Sequence, residues 1–372
     1  MTSPLSVLHL HSGNLYGGIE RVLVTLRRFE EGSDLRHSYA LAFEGRLRNE
    51  LADRVAGTIG RVRRRYPWTV RNGQRRLRAI IAQVAPRIVM VHGGWAQSLL
   101  GPAVREAGLP LVRWFHGAPE PDDAWERRAA DCPIALAVCN SRFTASAAAP
   151  FTVGVPLHVV HPPVAPPPAA PEAARPRLRA HAGATGTTGV ILHVARMEIG
   201  KGHGVLLDAL ARLPQGLDWQ LWFVGGPQRP AESRYLRTLV RAVKRSGLDG
   251  RVRFLGERHD TSALYAAADI YCQPNTAPDA FGLTFVEALH AGLPVVTSAL
   301  GGAREIVTPG CGILVAPGDA PALAAALEPL LADADRRAAF GIAGPARAAE
   351  LCEPHRQARR LSDLLHAALG TA

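Results

Sequence analysis

Short apolar runs, each followed by a turn and then by a stretch compatible with a helix, recur along the chain. Residues 6–11 (SVLHLH) form such a run, a glycine-containing turn occupies 13–18, and the amphipathic segment 19–29 follows. Strand, glycine-bearing loop and helix in that order open a doubly wound α/β domain. The alternation continues through apolar runs at 88–91, 111–115 and 134–138, spaced as βαβ units require. It then breaks. Residues 161–189 contain HPPVAPPPAAPEAARP and, a few positions later, AGATGTTG. Repeated prolines fit neither a helix interior nor a central strand, so the first part is expected to be a stiff extended linker. A second alternating series begins at 190–194 and continues at 219–224, 252–254, 270–272, 294–297 and 312–315. The expected organisation is a first domain over 1–160, a Pro/Gly-rich linker over 161–189 and a second domain over 190–352. A closing segment over 353–372, helical at about 353–369, follows, and the sequence does not say where it docks.

With 372 residues, of which 47% are hydrophobic, the chain suits two α/β domains, each with its own core. A formal charge of +11, carried mostly by arginine, reads either as a preference for polyanionic or phosphorylated partners or as an Arg-rich composition with solvated charges. No recognised nucleic-acid module accompanies it, so no specific nucleic-acid partner is expected. Arg61, Arg63, Arg64 and Arg65, followed by Tyr66 and Trp68, stand out within the basic stretch from Arg46 to Arg78. They read either as a patch facing an acceptor or an anionic membrane, or as a solvated helix face with its loop.

Five cysteines (Cys132, Cys139, Cys272, Cys311 and Cys352) without C-x-x-C spacing suggest reduced thiols. The first ten residues lack a basic leader and a long apolar run, and no stretch approaches a membrane-spanning length. The expected location is therefore cytoplasmic, with peripheral attachment at the inner membrane face left open.

The chemistry concentrates in one block, Pro274-Asn-Thr-Ala-Pro-Asp279-Ala-Phe-Gly282-Leu-Thr-Phe-Val-Glu287-Ala-Leu-His-Ala-Gly292-Leu-Pro294. It predicts a strand end, a loop, and a helix starting near Gly282. The first-turn N–H groups of such a helix lack intrahelical acceptors and carry the positive end of the macrodipole, so phosphate is a natural ligand. Asp279 precedes the helix and Glu287 lies about one turn inside it, which suits one carboxylate to a sugar and the other to ribose.

This block resembles the E-x7-E signature of the retaining family 4 glycosyltransferases (glycosyl transferases group 1), with Asp279 and Glu287 in the two acidic positions. Val194-Ala-Arg196, Lys201-Gly202, Val224-Gly225-Gly226-Pro227 and Phe254-Leu255-Gly256 precede it in the family's order. Gly292-x-Pro294, Gly301-Gly302-x-x-Glu305, Gly310-x-Gly312 and Pro317-Gly318-Asp319 follow it, so the similarity covers about residues 190–335. The N-terminal half matches more loosely, through Gly17-Gly18, His116-Gly117 and Asn140-Ser141. Asp279 departs from the usual Glu and is one methylene shorter.

The resemblance implies a GT-B fold, with two doubly wound Rossmann-like domains facing each other across a cleft. It implies a nucleotide-diphosphate sugar as donor, transfer with retention, and no metal or other cofactor. Arg196 and Lys201, with the helix start at Gly282, Leu283 and Thr284, would hold the diphosphate. Glu287 would bind ribose, Gly17 and Gly18 would line the donor site, and His116 and Asp279 would serve the transferred sugar. The acceptor, whether glycan, lipid or small molecule, is left open. Rival expectations are a silent GT-B module that binds a nucleotide sugar or a protein, and a GT-B epimerase or hydrolase. His9-x-His11 imitates a metal grip without a third ligand, Asp333-x-Asp335 is expected at the surface, and Ser141 is either a site residue or a helix cap.

Overall fold

The computed structural model describes residues 4–13 and 16–370; Asn14 and Leu15, within the turn expected at 13–18, lie outside the described residues. The chain forms two compact units, residues 1–164 together with 352–372, and residues 165–351.

The first unit is built on a parallel sheet of β1 (Leu5–His11), β2 (Leu35–Leu41), β3 (Val55–Thr58), β4 (Ile88–Val91), β5 (Leu111–Phe115), β6 (Leu136–Cys139) and β7 (Leu157–Val159). Their order is β3-β2-β1-β4-β5-β6-β7. Helices cover a parallel sheet on both faces, which is why its central strands read as continuous apolar runs. Leu8, Leu10, Val89, Val91 and Leu111 pack with Leu77, Leu100 and Val104 from the flanking helices. The helix Gly18–Arg28 buries Val22, Leu23 and Leu26 along one face. The run expected at 134–138 becomes strand only from Leu136.

The second unit carries β8 (Gly189–Val194), β9 (Trp219–Val224), β10 (Val252–Phe254), β11 (Ile270–Gln273), β12 (Val295–Ser298) and β13 (Gly312–Val315). They form a sheet in the order β10-β9-β8-β11-β12-β13. Both sheets thus repeat the doubly wound pattern in which the chain returns to the middle after three strands. Between β1 and β4, and between β8 and β11, the connections leave in opposite directions. Ligands of such folds bind at that switch point, beyond the carboxyl ends of the strands.

One expectation changes here, and one open point is filled. The 161–189 stretch is not an extended linker throughout: residues 174–182 form the helix Ala174–Ala182, and everything from 165 onward belongs to the second unit. Arg175 and Arg179 on that helix pair with Asp269 at 2.6 and 2.9 Å, and Arg179 also donates to the carbonyls of Ala267, Thr185 and Thr188. Burial alone would raise the Asp269 carboxyl; the Val190 N–H and the two arginines outweigh it and hold the group below its usual range. Such a buried, paired charge fastens the helix to its domain. The closing helix, Pro354–Gly370, belongs to the first unit, where His355 meets Phe29 edge-on at 5.2 Å between ring centroids. The chain therefore crosses between the units twice, at 164/165 and at 351/352.

Candidate functional site

In the second unit, the loops following β8 and β11 meet at the switch point. The β11 loop runs from Pro274 to Gly282 and enters the helix Leu283–His290. Gly282 has φ of +114°, and a Cβ there would collide with the Phe285 ring, so this helix entry requires glycine. The β8 loop ends in a turn whose last residue, Gly202, has φ of +77° and lies against the carbonyl of Pro274 with no room for a side chain. That close approach brings Lys201 onto the β11 loop. Its Nζ donates to Asp279 Oδ2 at 2.7 Å.

Asp279 is not a cap of the helix that follows: Gly282 stands at the N-cap without a side-chain bond, and the Asp279 carboxylate faces Lys201 instead. A Gly301 Cβ would strike the Asp279 backbone, and Gly302 N–H donates to its carbonyl at 2.9 Å, so Gly301-Gly302 seats the loop from the other side. Behind the ion pair lies a polar chain absent from the sequence-based candidates. Asn275 Nδ2 reaches Asp279 Oδ2 at 3.4 Å, Gln273 Nε2 donates to Asn275 Oδ1 at 2.9 Å, and Tyr271 OH donates to Gln273 Oε1 at 2.8 Å. Thr284 Oγ1 donates to the same Gln273 oxygen at 3.3 Å, tying the first turn of the helix to β11. Alternation of polar and apolar positions at the end of β11, Tyr271-Cys-Gln273-Pro-Asn275, is the signal that would have pointed to them.

Glu287 lies one turn into the helix and is buried, accepting from Tyr265 OH at 2.9 Å. A buried carboxylate needs donors, and Tyr265 is one of them. Arg196, half-exposed after β8, pairs with Glu198 at 2.7 Å and stands 3.9 Å from Glu232. Lys201, Asp279, Gly282, Leu283, Thr284 and Glu287 are thus gathered around one strand end, with Arg196 on the neighbouring loop. Leu283 and Thr284 supply first-turn N–H groups that no acceptor within a helix can reach. One cation beyond a helix N-terminus, with a carboxylate on either side, can hold a phosphorylated polyol.

In the first unit the N-terminal candidates lie beyond the ends of β1, β5 and β6. Gly17 N–H donates to Glu20 Oε2 at 2.8 Å, and the other Glu20 oxygen accepts from His11 Nε2 at 2.8 Å. Burial would raise the Glu20 carboxyl, and the bonds from His11 and from backbone N–H groups overcome this and lower it. Gly18 opens the helix Gly18–Arg28. His116 directly follows β5; its ring stacks on Trp114 and its Nε2 bonds to His92 Nδ1 at 2.8 Å. Burial, with the charges of His11 and Arg113, pushes His116 down to about 3, so it is neutral. Ser141 caps the helix Arg142–Ala148 by accepting from Thr144 N–H at 2.9 Å, while Asn140 Nδ2 donates to the His116 carbonyl at 3.0 Å. Asp333 is exposed and caps its own turn, accepting from the N–H groups of Asp335 and Arg336.

The model of the family described as glycosyl transferases group 1 matches residues 188–333. The GDP-mannose-dependent alpha-(1-6)-phosphatidylinositol monomannoside mannosyltransferase of Mycolicibacterium smegmatis is 32% identical over 288 residues, 72% of this chain and 73% of that protein. The chain belongs to the group 1 glycosyltransferases. Another relative of this glycosyltransferase is the phosphatidyl-myo-inositol mannosyltransferase of Mycobacterium leprae, 39% identical over 148 residues; the match covers 39% of this chain and only 37% of that protein's length. Among solved structures, Anabaena Alr3699/HepE in complex with UDP-glucose superimposes with a TM-score of 0.85 at 23% identity, covering 98% of this chain and all of that one. The fold of the glycosyltransferase is GT-B, as its two parallel sheets and these neighbours establish.

Proposed function

We propose that this glycosyltransferase moves mannose from GDP-mannose, with retention and without a metal, to an inositol-containing lipid. The observation that carries the reading is the meeting of Lys201 with Asp279 at the β8/β11 switch point, ahead of the 283–290 helix and one turn from buried Glu287. The sugar and the lipid rest on the names of the two mannosyltransferases, and a nucleotide-sugar donor also agrees with the UDP-glucose held by Alr3699/HepE.

In this reading the diphosphate takes Lys201, Arg196 and the N–H groups of Leu283 and Thr284. Glu287, acceptor-only and oriented by Tyr265, takes the ribose hydroxyls. These charges and the helix dipole stabilise the departing nucleoside diphosphate, which supports a reaction free of a divalent ion. Asp279, displaced from Lys201 by the diphosphate, turns to the sugar ring, where positive charge develops at the anomeric carbon. His116 is proposed as a hydrogen-bond partner of a sugar hydroxyl. The departing phosphate then assists deprotonation of the acceptor on the same face, so no protein base is required.

Peripheral attachment at the cytoplasmic membrane face belongs to the same proposal. Arg63, Arg64 and Arg65 are exposed beside Trp68, which is 61% exposed at the start of the helix Pro67–Val84. Cations with an interfacial aromatic suit an anionic surface. No helix among the described residues is long and apolar enough to cross a membrane. Sedimentation with anionic and with zwitterionic vesicles tests this part.

Thermal unfolding with a panel of nucleotide sugars tests the whole. A ligand bound only by the folded state at about a hundred times its dissociation constant adds about 2.7 kcal/mol. GDP-mannose is expected to raise the melting temperature most. A panel in which no nucleotide sugar raises it would overturn the reading.

A further inference from the structure

Four histidines of the first unit form one hydrogen-bonded row across its sheet. His37 Nδ1 meets His9 Nε2 at 2.8 Å, His9 Nδ1 meets His92 Nε2 at 2.9 Å, and His92 Nδ1 meets His116 Nε2 at 2.8 Å. The strand register explains the row. His9 on β1 is opposite Tyr39 on β2 and Met90 on β4, so His37 sits two residues before its level and His92 two residues beyond it. Val91 pairs with Arg113, which places His116 a further two residues along. Side chains two apart share a face. The row therefore climbs one pleat per strand on a single face and ends past the carboxyl end of β5, where a doubly wound domain meets its ligands.

All four rings are neutral. Burial, with the neighbouring histidines, drives His9 and His92 well below the ordinary range; burial and the Arg54 charge bring His37 to about 4. A neutral imidazole has one N–H and one lone pair. Three N···N bonds among four such rings admit only two arrangements: every ring protonated on Nδ1, or every ring on Nε2. A mixed row would face two lone pairs or two N–H groups.

The far end decides between them. Among the described residues His37 Nε2 is buried without a hydrogen-bond partner, and the Arg54 charge disfavours further positive charge on this ring. A proton on that nitrogen would be a buried donor without an acceptor and would meet the Arg54 charge, whereas a lone pair there is favoured by that charge. His37 is thus protonated on Nδ1, and the remaining rings must follow. His116 then receives a bond at Nε2 and carries its own proton on Nδ1, against the Nε2–H form that free neutral histidine prefers.

We propose that His37, His9 and His92 are positioning residues that hold His116 as a neutral, Nδ1-protonated imidazole, so that it offers its ligand a hydrogen-bond donor and not a base. The tautomer assignment stands on the row and its His37 end; its consequence for transfer rests on His116 meeting a sugar hydroxyl.

The test is ¹⁵N NMR of the histidine rings in the full chain, with the His116 signals identified by their loss in His116→Asn. The wild-type protein is expected to show His116 protonated on Nδ1 and unprotonated on Nε2; the opposite pattern overturns the proposal without any further variant. His37→Leu removes the donor that sets the row, and His116 is expected to shift wholly or partly to the Nε2–H form, with kcat falling roughly 2- to 12-fold for one lost neutral hydrogen bond. A His116 tautomer unchanged in His37→Leu overturns the relay. His37→Asn places an amide N–H near the former Nδ1–H and is expected to restore both signals and rate; Asn behaving like Leu counts against it. Should His116→Ala transfer sugar at the full rate while the tautomers are as expected, the role of His116 in transfer fails and the relay stands.

Discussion

Lys201 Nζ and Asp279 Oδ2, 78 residues apart in the chain, lie 2.7 Å apart with their side chains 21% and 26% exposed. The lysine expected to bind diphosphate and the carboxylate expected to serve the sugar are partners of each other before any donor arrives. On the proposed reading, an anionic donor would replace one carboxylate with two phosphates at the same ammonium, and that exchange would release Asp279 for the sugar.

A single ion pair that water still reaches contributes modestly to folding, so Lys201→Ala should change stability by about 1 kcal/mol in chemical denaturation. Its effect on the reaction should be larger. Loss of one charged hydrogen bond to a diphosphate costs roughly 1.5–3 kcal/mol, or about 10- to 150-fold in kcat/KM. Arg196→Ala should fall in the same range. Unchanged steady-state kinetics in Lys201→Ala would remove the diphosphate from this site.

Asp279→Asn keeps the shape and removes the charge. If the carboxylate stabilises positive charge at the anomeric carbon, kcat should fall about tenfold or more, equivalent to about 1.4 kcal/mol, while nucleoside diphosphate still binds. Asn as active as the parent, with Ala impaired, would make Asp279 a hydrogen-bonding positioner whose charge is irrelevant.

If Glu287 serves ribose, which does not react, its contacts should be equal in ground and transition states. Glu287→Ala is expected to act largely through donor KM. Tyr265→Phe deletes the 2.9 Å bond that orients this carboxylate and should raise donor KM roughly 2- to 12-fold with kcat nearly unchanged. A kcat effect without a KM effect in either variant would move Glu287 away from ribose.

Transfer should persist in excess chelator, because Lys201, Arg196 and the 283–290 helix terminus supply the positive charge. Activity lost with chelator and regained with Mg²⁺ or Mn²⁺ would refute metal independence.

Gly202→Ala tests the close approach of the two loops. With φ at +77° and the Pro274 carbonyl against it, an added methyl must push the loops apart. Overpacking of this kind typically costs about 1–3 kcal/mol. A lower melting temperature together with weaker nucleotide-sugar binding is the expected result; a variant that melts lower yet binds the donor as before would uncouple the loop contact from the site.

Much of this protein is legible along the chain because the relevant interactions are local. Apolar runs such as 190–194 and 219–224 had to become buried parallel strands, and the Asp279–Glu287 block had to be a strand end, a loop and a helix start, since both follow from spacing within a few residues. Pro-rich composition misled at 174–182 for the complementary reason: Arg175 and Arg179 are helical because Asp269, some ninety residues away, fastens them. The closing helix likewise gained its place in the first unit through Phe29 and its neighbours.

Residue types and their order were enough to determine two doubly wound domains and the membership of the chain in its family. Tertiary structure alone decided which of the candidate groups touch. Lys201 reaches Asp279 only because β8 and β11 are adjacent at the switch point, and His9, which in sequence invites comparison with His11 as a metal grip, spends both ring nitrogens on His37 and His92. Strand order and register set those meetings, and they are fixed by the packing of whole sheets, a quantity no local window of residues contains.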